Sequence, residues 1–129
     1  ILFDSHAILK WLQMEPGYKK VKSIIEDCRG KSLTGYINQI NLGEVYYKTI
    51  RAVGIKKAGD FLENFFRLPI KVILPDSGLI WQASEIKADY PISYADCFAI
   101  ATAVKYKAKV ITGDPEFRKV KKLIQIEWV

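Results

Sequence analysis

The chain has 129 residues, half of them hydrophobic and 12% aromatic, with a formal net charge of +6 and an isoelectric point near 9.3. Length and composition exclude a disordered chain and predict one domain over residues 1–129, with a core large enough to stand without staples. Two cysteines, Cys28 and Cys97, exclude a disulfide-built secreted scaffold, and no apolar stretch approaches the ~20 residues that cross a bilayer.

In chain order, Ile1–Phe3 reads as a short buried strand and Ala7–Leu12 as a helix that ends before Glu15-Pro16-Gly17. Tyr18–Cys28 places Val21, Ile24 and Ile25 on one side with lysines between them, the pattern of an amphipathic helix. Leu33–Ile37 is the second strand. Asn38 or Asn41 caps a helix reaching about Val53, Gly54 breaks it, and Lys56–Phe66 is helical again. Ile70–Leu74 is a strand between two prolines, and Ser77–Ala88 is a helix capped by Asp76. Pro91-Ile92-Ser93 opens an apolar helix through about Tyr106. Lys109–Thr112 is a strand, Pro115–Val120 a short helix and Leu123–Trp128 a last strand. Repeats, low-complexity segments and linkers are absent from this pattern.

Strands separated by helices imply an α/β fold, a three-layer α/β/α sandwich with a central parallel sheet. In such sheets ligands bind beyond the carboxyl ends of the strands. Asp4 and Asp114 stand at two such ends.

Four acids stand out, three of them after apolar runs or at helix starts: Asp4 after ILF, Asp96 in ISYADCFAIATA and Asp114 after VITG; the fourth is Glu44 in INLGEVYY. Each has an ordinary reading. Asp4 and Asp114 are good helix caps, the latter followed by Pro115, and Asp96 lies three residues after Ser93 as in a capping box. Glu44 falls mid-helix with Ile40 and Tyr47 at helical spacing, so it is expected on a buried stripe, where an acid needs a cation. Two like charges 4 Å apart repel by roughly 4 kcal/mol at an effective dielectric near 20. A divalent cation is the direct remedy, and carboxylate oxygens suit Mg²⁺ and Mn²⁺.

The small residues Ala99, Ala101, Thr102 and Ala103 would let the helix after Asp96 press on the sheet. Thr112 and Ser93 offer hydroxyls that either orient carboxylates or cap helices. A lone histidine, His6, excludes an imidazole acid/base pair, and Cys97 reads as core. The nucleophile is then a water activated by metal. A basic surface around an acidic site suits a polyanion such as nucleic acid, although lysine richness alone would give the same charge. Both thiols read as free in a reducing cytosol. ILFDSH has no basic stretch of a signal peptide, so the expected location is cytoplasmic, with no membrane association.

These residues resemble the PIN domain, the nuclease fold of many prokaryotic VapC-type toxins. The resemblance covers essentially the whole chain and rests on Asp4 in ILFDSHAIL, Glu44 in NLGEVYY, Asp96 in SYADCFAIATA and Asp114 in VITGDPEF. It implies a Mg²⁺- or Mn²⁺-dependent endoribonuclease with Asp4, Glu44, Asp96 and Asp114 as catalytic metal ligands. The implied partners are RNA, an antitoxin protein and a second copy in a homodimer. His6 departs from the Asn or Ser more usual there. Lys10, Lys48, Arg118 and Lys119 are candidates for gripping phosphates, and Tyr46, Tyr47 and Tyr94 for stacking bases or packing the core. Trp11, Phe61, Leu62, Phe65 and Phe66 supply apolar surface for an interface. An RNA-processing nuclease and a silent binding module of the same fold are the alternatives. A metal-dependent phosphatase acting on a small molecule would need a covalent Asp nucleophile and a glycine-rich phosphate loop, and the sequence shows no such loop.

Overall fold

Five short strands pair side by side in a computed structural model that describes residues 1–129. They are β1 (Leu2–Phe3), β2 (Gly35–Asn38), β3 (Ile70–Ile73), β4 (Val110–Thr112) and β5 (Ile126–Trp128), in the order β3-β2-β1-β4-β5 with every pair parallel. Parallel neighbours need crossover connections, and helices supply them. These are α1 (Ser5–Leu12), α2 (Tyr18–Arg29), α3 (Gln39–Val53), α4 (Ile55–Phe65), α5 (Ser77–Asp89) and α6 (Tyr94–Lys105), with a 3-10 helix at Pro115–Val120.

Side-chain alternation along the strands decides the layers. Leu2 and Val110 face one way and pack with Leu79 and Ala83 of α5 and Ala99 and Ala103 of α6. Phe3, Ile37 and Ile111 face the other way and pack with Ile8, Ile25, Val45 and Phe65 from α1 to α4. The result is the expected three-layer α/β/α sandwich. Phe3, Phe65 and Phe117 are fully buried, and burying each such side chain stabilises by about 1.5–3 kcal/mol.

The strand order positions the site. From central β1 the chain builds outward through β2 to β3, then restarts on the other side with β4 and β5. The reversal falls between β1 and β4, which pair with Leu2 opposite Val110 and Phe3 opposite Ile111. A crevice opens beyond the carboxyl ends of strands at such a switch point, and Asp4 and Asp114 lie there.

Most expected elements appear with shifted ends. The helix expected from Ala7 begins at Ser5, because the Asp4 carboxylate accepts the Ala7 N–H at 2.7 Å and caps the earlier turn. The strand expected over Leu33–Ile37 starts at Gly35, where a Cβ would stand 3.0 Å from Cys28 Sγ and 3.2 Å from the Pro69 carbonyl. Leu123–Trp128 shortens to Ile126–Trp128, since the Leu123 N–H closes a turn onto the Val120 carbonyl at 2.9 Å. Of the apolar residues expected to offer surface, Trp11, Phe61 and Leu62 instead pack partly buried on the core and Phe65 is fully buried, whereas Phe66 is 61% exposed. No helix is long and apolar enough to cross a membrane.

Candidate functional site

Asp4, Glu44, Asp96 and Asp114 come from four different parts of the chain and line one cleft of about 420 Å³. His6, Lys48, Ser93 and Glu116 share its walls. Five carboxylates thus face one lysine across a single cleft. For three of the acids, the ordinary local role and the cleft position hold together. Asp4 caps α1, Asp114 accepts the Glu116 N–H at 2.9 Å to cap the 3-10 helix, and Asp96 lies in the first turn of α6.

The apolar strand ends explain why Asp4 is held so firmly. It is only 1% exposed, and its second oxygen accepts a hydrogen bond from the Thr112 hydroxyl. That hydroxyl in turn accepts the Asp114 N–H at 3.0 Å, so Thr112 ties the ends of β1 and β4 together. Thr112 therefore orients a carboxylate. Ser93 instead caps α6, its hydroxyl accepting the Asp96 N–H at 3.1 Å.

The stripe expected around Glu44 is not the buried one. Ile40 and Tyr47 are 37% and 41% exposed, and the buried side of α3 is Asn41, Leu42 and Val45. Glu44 is half-buried at the cleft margin. Asn41, expected only as an alternative cap, lies one turn before it. Its amide donates to Glu44 at 3.4 Å and to the Ala95 carbonyl at 3.0 Å, linking α3 to the start of α6. Asn38 takes the cap, accepting the Ile40 N–H at 2.9 Å, and its amide donates to Thr102 on α6. An Asn three residues before a candidate site Glu is the signal in the sequence for Asn41.

Burial and crowding set the electrostatics. Burial pushes the Asp4 carboxyl up to about 7, against the opposing pull of its Thr112 and Ala7 hydrogen bonds, with Asp96 and Asp114 adding to the rise. Burial likewise lifts Asp96 to about 6, against the opposing Ser93 hydroxyl, with Asp114 and Glu44 raising it further and Lys48 opposing. His6 is lowered by burial, partly countered by Asp114, and its Nδ1 is buried without a hydrogen-bond partner. Carboxylates that raise one another in this way form a site short of positive charge.

No three of the His, Cys, Asp and Glu side chains converge closely enough to hold an ion as they stand. The chemistry of the donor set nevertheless fits Mg²⁺ or Mn²⁺. Mg²⁺ keeps several of its waters and is commonly bound through only one or two carboxylates, so spaced hard oxygens around a polar cleft suit it.

The expected phosphate-gripping residues divide. Lys48 lines the cleft, but Lys10 is held by the Val129 carbonyl at 3.0 Å and Lys119 pairs with Glu116 at 2.5 Å. Arg118 lies over the Trp128 ring, away from the acids. Of the tyrosines, Tyr94 is 44% exposed and packs edge-on to Phe98.

Gly113 leaves the room this arrangement needs. A Cβ there would stand 2.8 Å from the Val129 carbonyl and 2.9 Å from both His6 Cε1 and Lys10 Nζ. Gly113→Ala is expected to destabilise by about 1–3 kcal/mol, as overpacking does, and to shift His6 in the cleft. A thermal melt together with the His6 imidazole chemical shifts checks this, and unchanged shifts would count against the crowding.

The PIN domain family model matches residues 1–123. No curated protein matches the chain significantly in sequence. Among solved structures, the chain resembles one in VapBC2 from Rickettsia felis bound to a DNA fragment from their promoter. The TM-score is 0.77 at 14% identity, over 99% of this chain and 97% of that one. DNA-bound VapBC from Salmonella typhimurium gives 0.74 at 18% identity, over 98% and 95%. FitAcB from Neisseria gonorrhoeae gives 0.70 at 19%, over 97% and 94%. At such identities these likenesses speak to fold.

Proposed function

This chain belongs to the PIN domain family, and we propose that it is a divalent-metal-dependent endoribonuclease, the toxin of a toxin–antitoxin pair. The observation that carries the reading is the meeting of Asp4, Glu44, Asp96 and Asp114 on one cleft at the sheet's switch point. The basic chain around that acidic cleft suits a polyanionic substrate.

In this reading the four acids hold Mg²⁺ or Mn²⁺, directly or through water. A cation held there would neutralise charge on the phosphate and lower the pKa of water. The protein supplies alignment. Thr112 and the Ala7 N–H fix both oxygens of Asp4, Asn41 steadies Glu44, and Lys48 lies across the cleft to meet a phosphate oxygen. A water attacks phosphorus in line with the 3′ oxygen, the P–O3′ bond breaks, and the products carry a 5′-phosphate and a 3′-hydroxyl.

Val53 and Ile55, at 50% and 70% exposure around the α3–α4 turn, and Phe66, at 61% at the far end of α4, offer apolar surface that an antitoxin segment would cover. The neighbouring folds in VapBC and FitAcB assemblies support that partner. Homodimerisation, a single domain over 1–129 and a cytoplasmic site of action complete the proposal. The wide spacing of the acids favours one second reading, a silent RNA-binding module of the same fold.

Cleavage of a labelled RNA pool separates the two. Cuts are expected with Mg²⁺ or Mn²⁺ and none in EDTA, with activity restored on adding metal back. Protein free of antitoxin that cuts under no metal condition leaves the silent module as the better account.

A further inference from the structure

The 3-10 helix Pro115–Val120 distributes its side chains by its three-residue period. Phe117 and Val120 are buried. Glu116 and Lys119 pair on the side that lines the acidic cleft, where Lys119 also reaches the Pro91 carbonyl at 3.5 Å. Arg118 and Lys121 fall on the third side, over the outer strand β5.

There they line a hollow of about 520 Å³ together with Lys109, Ile124 and Trp128. The Arg118 guanidinium carbon lies 5.7 Å from the centre of the Trp128 ring, which is 41% exposed. Lys109 is matched by Glu127 at 3.7 Å, but neither Arg118 nor Lys121 forms an ion pair. The hollow therefore combines two unneutralised cations with a partly open indole.

Building on the ribonuclease reading, we infer that the hollow between Arg118, Lys121 and Trp128 is a second binding site for single-stranded RNA. It takes nucleotides that run from the acidic cleft across the 3-10 helix. A base stacks on Trp128 and the Arg118 plane, while Lys121 meets a flanking phosphate. Charge complementarity selects a polyanion, and the flat aromatic and guanidinium surfaces select bases over an acidic peptide. Stacking accepts any base, so the site adds affinity and length dependence and reads no sequence. Glu116 lines the acidic cleft and Arg118, two residues on, lines the hollow, which makes the short helix the ridge the strand crosses.

The test uses the 129-residue chain carrying Asp96→Asn, so that RNA survives, and fluorescence anisotropy with single-stranded RNAs of about 4 and about 12 nucleotides. Trp128→Ala and Arg118→Gln are each expected to weaken the longer RNA about tenfold and leave the shorter one unchanged. Trp128→Phe, which keeps a stacking ring and guards against misfolding, should bind nearly as wild type. Equal loss at both lengths, no loss with Trp128→Ala, or a change in molecular size that accounts for the loss would each overturn the site. A loss confined to Arg118→Gln would reduce it to unspecific charge and overturn the stacking. Failure of the parent reading looks different. There the chain with Asp96 intact cuts no RNA, while Trp128-dependent binding persists.

Discussion

Asp96→Asn is expected to lower RNA cleavage by about 10³-fold or more, roughly 4 kcal/mol of transition-state stabilisation, while leaving the fold intact. The substitution keeps size and shape and removes only the charge. The Ser93 cap is untouched, because the bond there comes from the Asp96 backbone N–H. Loss of an acid at the start of α6 costs about 0.3–1 kcal/mol of helix-dipole stabilisation. Relief of burial and of repulsion from Asp114 and Glu44 acts in the opposite direction. Stability should therefore move little while activity collapses. Cleavage rate and thermal melting, measured on the same preparation, check this. A variant that melts normally and keeps more than about a tenth of the rate would make Asp96 an ordinary first-turn acid and remove the main support for the metal site.

Much of this was readable from residues because the decisive patterns are local. ILF, LTGYI and VIT stretches flanked by helical periodicity dictate a parallel sheet, and an acid within two residues of the end of two of those runs must emerge at the strand ends. What local pattern cannot carry is which strands lie side by side. The order β3-β2-β1-β4-β5 puts Asp4 beside Asp114, and nothing in either segment announces that pairing. Glu44 illustrates the opposite risk. Its expected burial rested on Ile40 and Tyr47, yet α3 turns Asn41, Leu42 and Val45 inward because the site is tied together through Asn38 and Asn41. Asn41, bonded to α6, shares the inner face with Leu42 and Val45, while Ile40 and Tyr47 turn outward. The Arg118–Trp128 contact depends on β5 lying next to β4. Before that pairing is known, Trp128 is only a residue ending an apolar strand.

Asp4→Asn should separate stability from activity more sharply than any other change. Burial raises the Asp4 carboxyl from 3.8 to about 7 in the folded protein, so the native state holds its proton more tightly than the unfolded chain does. Below pH 4 both states are protonated and the group costs nothing. As pH rises from about 4 to about 7 the unfolded chain ionises first, and the metal-free protein loses stability through that window. Above it the penalty is complete, at most roughly 4 kcal/mol. Asp96, lifted to about 6, adds its share between about 4 and 6. Asparagine carries no charge to bury and its oxygen can still cap the Ala7 N–H. Its amide, however, faces the Thr112 hydroxyl, which loses the acceptor it had. The balance predicts a gain on the order of 1–3 kcal/mol at pH 8 in EDTA, shrinking to nothing or a small loss near pH 4. Saturating Mn²⁺ should reverse the order at pH 8, since metal that binds only the native acidic site stabilises the parent chain by mass action and has little to hold in the variant. Cleavage should be lost at every pH. Denaturant melts at the two pH values, with and without Mn²⁺, decide it. A variant less stable than its parent at pH 8 without metal would mean that Asp4 serves the fold as a cap and strand-end tie. The acidic cleft would then owe its charge to structure alone.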